Sequence, residues 1–155
     1  DLACGTGRYT GMLGGRLGAE RVIGLDLSGA MLRVLRAQSP ELCVVRGSAM
    51  ALPIRSGSLG AVVTFGALHL FPDPVAALAE IGRVLAPGGR LVCLTAYAPD
   101  DDRLRGVQDR IGRAIRLRFL RRQTLTDGLI AGGMTLGSLT PHGRMALLWA
   151  EKLAQ

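Results

Sequence analysis

The chain opens on Asp1-Leu2-Ala3-Cys4-Gly5-Thr6-Gly7, and this glycine-rich turn limits the fold more than any other segment. Glycines allow dihedrals that a Cβ forbids and let the main chain approach a ligand closely. Asp1–Ala3 reads as the tail of a strand, and Arg8–Leu17 can coil into a helix behind the turn. The apolar run Arg21–Leu27 (RVIGLDL) then carries Asp26, nineteen residues beyond Gly7. In nucleotide-binding α/β folds an acid about 20 residues after the glycine turn, at the end of the second strand, holds a ribose diol.

The alternation continues downstream. Ser28 is placed to cap a helix over Gly29–Gln38, and Leu42–Val45 is a short strand. Leu59–Phe65 (LGAVVTF) is apolar and β-branched, the composition of a buried strand. Asp73-Pro74 opens a helix with Asp73 as N-cap. Ala77, Leu78, Ile81, Val84 and Leu85 recur at helical spacing until Pro87-Gly88-Gly89 stops it, and Arg90–Thr95 is the next strand. Leu125–Ala131 reads as a helix; Gly133–Leu139 and Arg144–Lys152, split by Pro141-His142-Gly143, read as a closing hairpin. Strands separated by helices predict a parallel sheet covered on both faces, a doubly wound α/β fold ending in an antiparallel hairpin, as one domain over residues 1–155.

Hydrophobic residues make up 48% and charged residues 20%, the balance of a soluble globular domain. There is no apolar run of membrane-spanning length, and no charged-then-apolar leader opens the chain, so secretion is not expected. Cys4, Cys43 and Cys93 form no CxxC pair, so a zinc site or disulfide framework is disfavoured and a reducing cytoplasm fits. The net charge of +7 is local: Arg103–Arg122 holds eight arginines and one acid, Asp109, while the remainder is neutral. The first residue is Asp1 rather than Met, so the sequence reads as beginning inside a longer protein. In a doubly wound sheet the strand ending at Asp1 is central. With that first strand largely missing, the expectation is that this chain alone is poorly soluble or partly folded, and inactive.

Dinucleotide binding wants a third glycine three residues after the second. Thr10 stands there and the next glycine is Gly11, which weighs against NAD or FAD. The ordered succession DLACGTG, GLDLS (Gly24–Ser28), GSAMALP (Gly47–Pro53), GALHLFPDP (Gly66–Pro74) and LAPGGRL (Leu85–Leu91) resembles the class I S-adenosylmethionine-dependent methyltransferases, in their small-molecule, type 11 branch. The resemblance implies a Rossmann-like domain with S-adenosyl-L-methionine as cofactor. It implies that Asp1 and the loop Ala3, Cys4, Gly5, Thr6 and Gly7 face the methionine part. Asp26 would bind the ribose hydroxyls, and Leu27 and Met31 would pack on the adenine. Ser48 and Ala49 would lie at the adenine edge, and Phe65, Gly66 and Ala67 would line the mouth. Ala3 and Ser48 depart from the family pattern, which often has Gly and Asp there. A serine accepts without charge assistance, so looser adenine recognition is expected.

Methyl transfer from a sulfonium needs alignment and exclusion of water, and no protein nucleophile. His69 is a candidate base, weighed against a structural histidine that pins its loop to Asp73 or to backbone. Tyr97 ends a strand on the ligand side, and His142 falls in the hairpin turn. The Arg-rich stretch, amphipathic through Leu104, Val107, Ile111, Ala114 and Ile115, has three readings: a solvated helix face, a lid that attracts an anionic small-molecule acceptor, or contact with RNA or a membrane surface. Phe119 is its only aromatic, which disfavours nucleic acid. Two rivals to a small-molecule methyltransferase remain: a cofactor-binding domain that no longer catalyses, and an RNA methyltransferase.

Overall fold

A computed structural model describes residues 1–98 and 118–154, so the amphipathic helix expected between 104 and 115 lies outside the described residues. In chain order the elements are α1 (Arg8–Leu17), β1 (Ile23–Asp26), α2 (Gly29–Gln38), β2 (Cys43–Arg46), β3 (Leu59–Phe65), α3 (Pro74–Val84), β4 (Leu85–Ala96), α4 (Arg122–Ala131), β5 (Met134–His142) and β6 (Met145–Lys152). Short 3-10 turns follow α1 at Ala19–Arg21 and β3 at Leu68–Leu70. Among the described residues no helix is long and apolar enough to cross a membrane.

Local chemistry sets the helix starts. The Ser28 hydroxyl accepts the Met31 N–H at 3.4 Å, and the Asp73 carboxylate accepts that of Ala76 at 3.0 Å. Such caps are worth about 1 kcal/mol each. Pro74 fills the first position of α3, where its missing N–H costs nothing. The other end of α3 differs from expectation. The chain pairs with β3 already at Leu85, and Pro87-Gly88-Gly89 forms an irregularity inside β4 before Arg90 resumes the ladder opposite Ala61.

β1 and β2 pair in parallel, as do β3 and β4, while β6 runs antiparallel between β4 and β5. The segment Asp1–Cys4 links the two sheets. Leu2 bridges in parallel to Leu25 and donates its N–H to the Val63 carbonyl at 2.8 Å, while Leu25 donates to Asp1 at 2.9 Å. The resulting order is β2-β1-Leu2-β3-β4-β6-β5. The sequence predicts β3 to be buried throughout; in the structure Val62 and Thr64 are buried while Gly60 and Ala61 are exposed.

Each sheet face carries its own core. Ala77, Leu78, Ile81 and Val84 of α3 and Leu125 and Leu129 of α4 pack with Leu25, Val62, Leu91 and Leu148. Leu32 and Leu35 of α2 pack with Val22 and Leu42, and Leu13 of α1 joins them. Alternation along β1 sends Leu25 to the first core, while a side chain at Gly24 would meet Thr10, Cys4 and Leu35. The helices therefore cover both faces, as a doubly wound fold requires.

Candidate functional site

The turn takes left-handed backbone where the chain passes from Leu2 into α1, and only Ala3 is strained by it. Ala3, Gly5 and Gly7 all have positive φ, at 57°, 57° and 88°. Gly7 allows no side chain, since a Cβ would lie 2.1 Å from Leu35 Cδ1. At Gly5 a Cβ would meet nothing within 4 Å, so this stretch of main chain stands beside open space. Thr10 supports the turn from below. Its fully buried hydroxyl donates to the Asp1 carboxylate at 2.6 Å. In the sequence Thr10 marks only a missing third glycine, and its support of Asp1 is a contact across nine residues that no motif announces.

Asp26 closes the arrangement. One carboxylate oxygen accepts the Gly5 N–H at 2.9 Å and the other that of Ser28 at 2.8 Å. Each oxygen offers two lone pairs, so acceptor capacity remains on both. Asp26 sits at the carboxyl end of β1, on a groove of about 220 Å³ lined also by Leu2, Ala3, Leu25, Leu27, Gly47, Ser48, Ala49, Met50, Ala67, Leu70, Phe71 and Pro72. Apolar walls with an acid and a hydroxyl are the composition that suits a nucleoside, which presents an apolar base and a ribose diol.

The groove thus gathers Ala3, Asp26, Leu27, Ser48, Ala49 and Ala67 from the expected set. Asp1, Gly5, Thr6 and Gly7 form the adjoining turn, where Asp1 faces Thr10. Met31 is half-exposed on α2 and is not among the lining residues. The Phe65 ring packs on Tyr9, 4.7 Å between centroids, and Gly66 (φ 72°) leaves the end of β3 with no atom near its missing side chain. Ser48 turns its hydroxyl toward its own loop and accepts the Met50 N–H at 3.2 Å. Leu70, Phe71 and Pro72 were not singled out as lining residues, although they lie within the motif GALHLFPDP.

His69 is buried, and its Nδ1 accepts the Ala96 N–H at 3.2 Å, with the Thr95 hydroxyl also 3.2 Å away. A nitrogen that accepts a main-chain N–H carries no proton, so this pattern assigns the proton to Nε2 and makes the Thr95 hydroxyl a donor. Burial holds the imidazole below its ordinary value and keeps it neutral. Its backbone partner is on β4, and Asp73 instead caps α3. Tyr97 is buried and bridges to Leu120, whereas His142 is exposed at the end of β5. Burial also raises the thiols of Cys4 and Cys93, the latter to about 12, so neither is a thiolate nucleophile.

A family model described as "Methyltransferase domain" (Methyltransf_11) matches residues 1–93. The chain belongs to the class I S-adenosylmethionine-dependent methyltransferases. S-adenosyl-L-methionine is the cofactor of this family, and Asp26 beside an open glycine turn fits its ribose. The methyltransferase chain is 42% identical over 105 residues to a demethylmenaquinone methyltransferase of Lactococcus lactis, covering 64% of this chain and 42% of that protein. It is 36% identical over 136 residues to a demethylmenaquinone methyltransferase of Thermus thermophilus, covering 85% and 59%. It therefore spans less than two thirds of the length of these relatives. The structure of a putative methyltransferase from Bacillus halodurans superposes with a TM-score of 0.85 at 20% identity, covering 99% of this chain and 91% of that one, which shows the shared fold.

Proposed function

We propose that the chain binds S-adenosyl-L-methionine in the groove at the carboxyl ends of β1 and β3 and directs its methyl group to a small-molecule acceptor. The observation that carries this reading is the Asp26 carboxylate, fixed by Gly5 and Ser28 with lone pairs to spare. The bound cofactor supplies an electrophilic methyl on a sulfonium. The chain's own residues bind and orient. Asp26 takes the ribose, Leu27, Ala49 and Phe71 shield the base from water, and Ala3–Gly7 brings main chain up to the amino-acid part. His69 holds the Leu68–Leu70 turn against β4 and acts as no base, because its only free lone pair is used by Ala96.

The acceptor is anionic in this reading. Arg118 at the end of the Arg-rich stretch donates to the carbonyl of Pro72, a groove residue, at 3.3 Å, which brings positive charge to the groove rim. The free cysteines accord with a cytoplasmic setting. Titration calorimetry with S-adenosylhomocysteine, followed by a methyl-transfer assay with carboxylated or phosphorylated small molecules and with uncharged demethylmenaquinone, tests the proposal, and turnover on demethylmenaquinone but on no anionic compound overturns the anionic acceptor. Binding with turnover on one acceptor supports it. Binding without turnover on any acceptor would assign a cofactor-binding domain, and turnover on RNA alone would move the protein to the RNA-modifying class.

A further inference from the structure

The groove's Ser48–Ala51 turn is held from both ends. On one side the Gly47 N–H donates to the Asp26 carbonyl at 3.1 Å. On the other, Leu52 is gripped by two side chains of α3. Its N–H donates to Glu80 Oε2 at 2.7 Å, and its carbonyl accepts Arg83 Nη2 at 2.9 Å. Arg83 also donates from Nη1 to the Ile54 carbonyl and the Ser56 hydroxyl, both at 3.0 Å. Its remaining N–H groups form a two-pronged pair with Glu80, Nε to Oε1 at 2.6 Å and Nη2 to Oε2 at 2.8 Å. All five guanidinium donors are therefore used, which a lysine could not reproduce. The same helix begins at Pro74, just after the groove residues Leu70, Phe71 and Pro72. One rigid helix thus stands behind both walls.

We infer that Glu80 and Arg83 are positioning residues for the cofactor: through Leu52 they set the Ser48–Ala51 turn and hence the recognition of the adenine base. The inference rests on the assignment of the groove to S-adenosylmethionine. An exposed ion pair at (i, i+3) would stabilise the helix only slightly. The main-chain bonds to Leu52 and Ile54 give this pair a different role, because they tie a non-local loop.

The test uses R83K, the exchange E80R/R83E and, as a control on the groove assignment, D26N, each in the full-length protein. Affinities for S-adenosylhomocysteine and its inosine counterpart are measured by calorimetry beside the melting temperature. R83K keeps a charge beside Glu80 but cannot reach Leu52, Ile54 and Ser56 together. Its affinity for S-adenosylhomocysteine should fall about tenfold, the effect of losing one charge-assisted hydrogen bond. Its preference for adenine over hypoxanthine should shrink with it. The exchange should restore the helix pair and the melting temperature but not the base preference. An unchanged preference in R83K overturns the inference. So does an equal loss for both ligands that follows the melting temperature, which a merely structural role would produce. If D26N leaves affinity unchanged, the groove assignment fails and this inference fails with it; if only D26N weakens binding, the groove stands and the inference alone is lost.

Discussion

Asp26 and Gly5 are joined by a 2.9 Å hydrogen bond from the glycine N–H to the aspartate carboxylate, so the acid and the turn form one rigid unit. Replacing Asp26 with Ala removes the carboxylate proposed to take the ribose and leaves the N–H groups of Gly5 and Ser28 without a partner. Charged hydrogen bonds contribute about 1.5–3 kcal/mol each. Cofactor affinity, read by calorimetry, should fall by roughly 10²-fold, with a smaller loss in Asn, which keeps one acceptor oxygen.

Ser48 meets the groove with a hydroxyl already accepting the Met50 N–H. An aspartate there keeps that bond and adds a charged acceptor oxygen. Ser48→Asp should tighten S-adenosylhomocysteine binding by several-fold, on the order of 1 kcal/mol. Equal dissociation constants for the two proteins would refute the role given to this position.

Ala3 holds φ at +57°. A left-handed residue other than glycine costs about 1–2 kcal/mol, against about 0.4–1 kcal/mol for the extra freedom glycine adds to the unfolded chain. The strain outweighs the entropy. Ala3→Gly should therefore stabilise the protein slightly, by about 0.5–1 kcal/mol, which denaturant titration can resolve.

His69 is held neutral by burial, with its pKa below the ordinary 6.5. The unfolded chain then binds a proton that the folded chain refuses as the pH falls below 6.5, so stability declines on that side and is unaffected above it. A glutamine at this position can still accept the Ala96 N–H without titrating. His69→Gln should flatten the loss of stability between pH 6.5 and 5. On the proposal that the ring serves as no base, the variant should keep the pH profile of methyl transfer; a lost limb in that profile would reinstate His69 as a proton acceptor.

Much of this was legible in the sequence because the signals are local. Ser28 caps a helix three residues ahead, Asp73 and Pro74 start another, and a strand as apolar as Leu59–Phe65 needs no distant partner to be recognised. The glycine turn and Asp26 were readable too, since their spacing reflects one strand–helix–strand unit. What the tertiary structure alone decided lies in pairs far apart along the chain. Leu52 meets Glu80 across 28 residues, and His69 meets Ala96 across 27. No periodicity or cap encodes such meetings. They follow from the register of parallel strands, which the chain sets only when both cores close around the sheet.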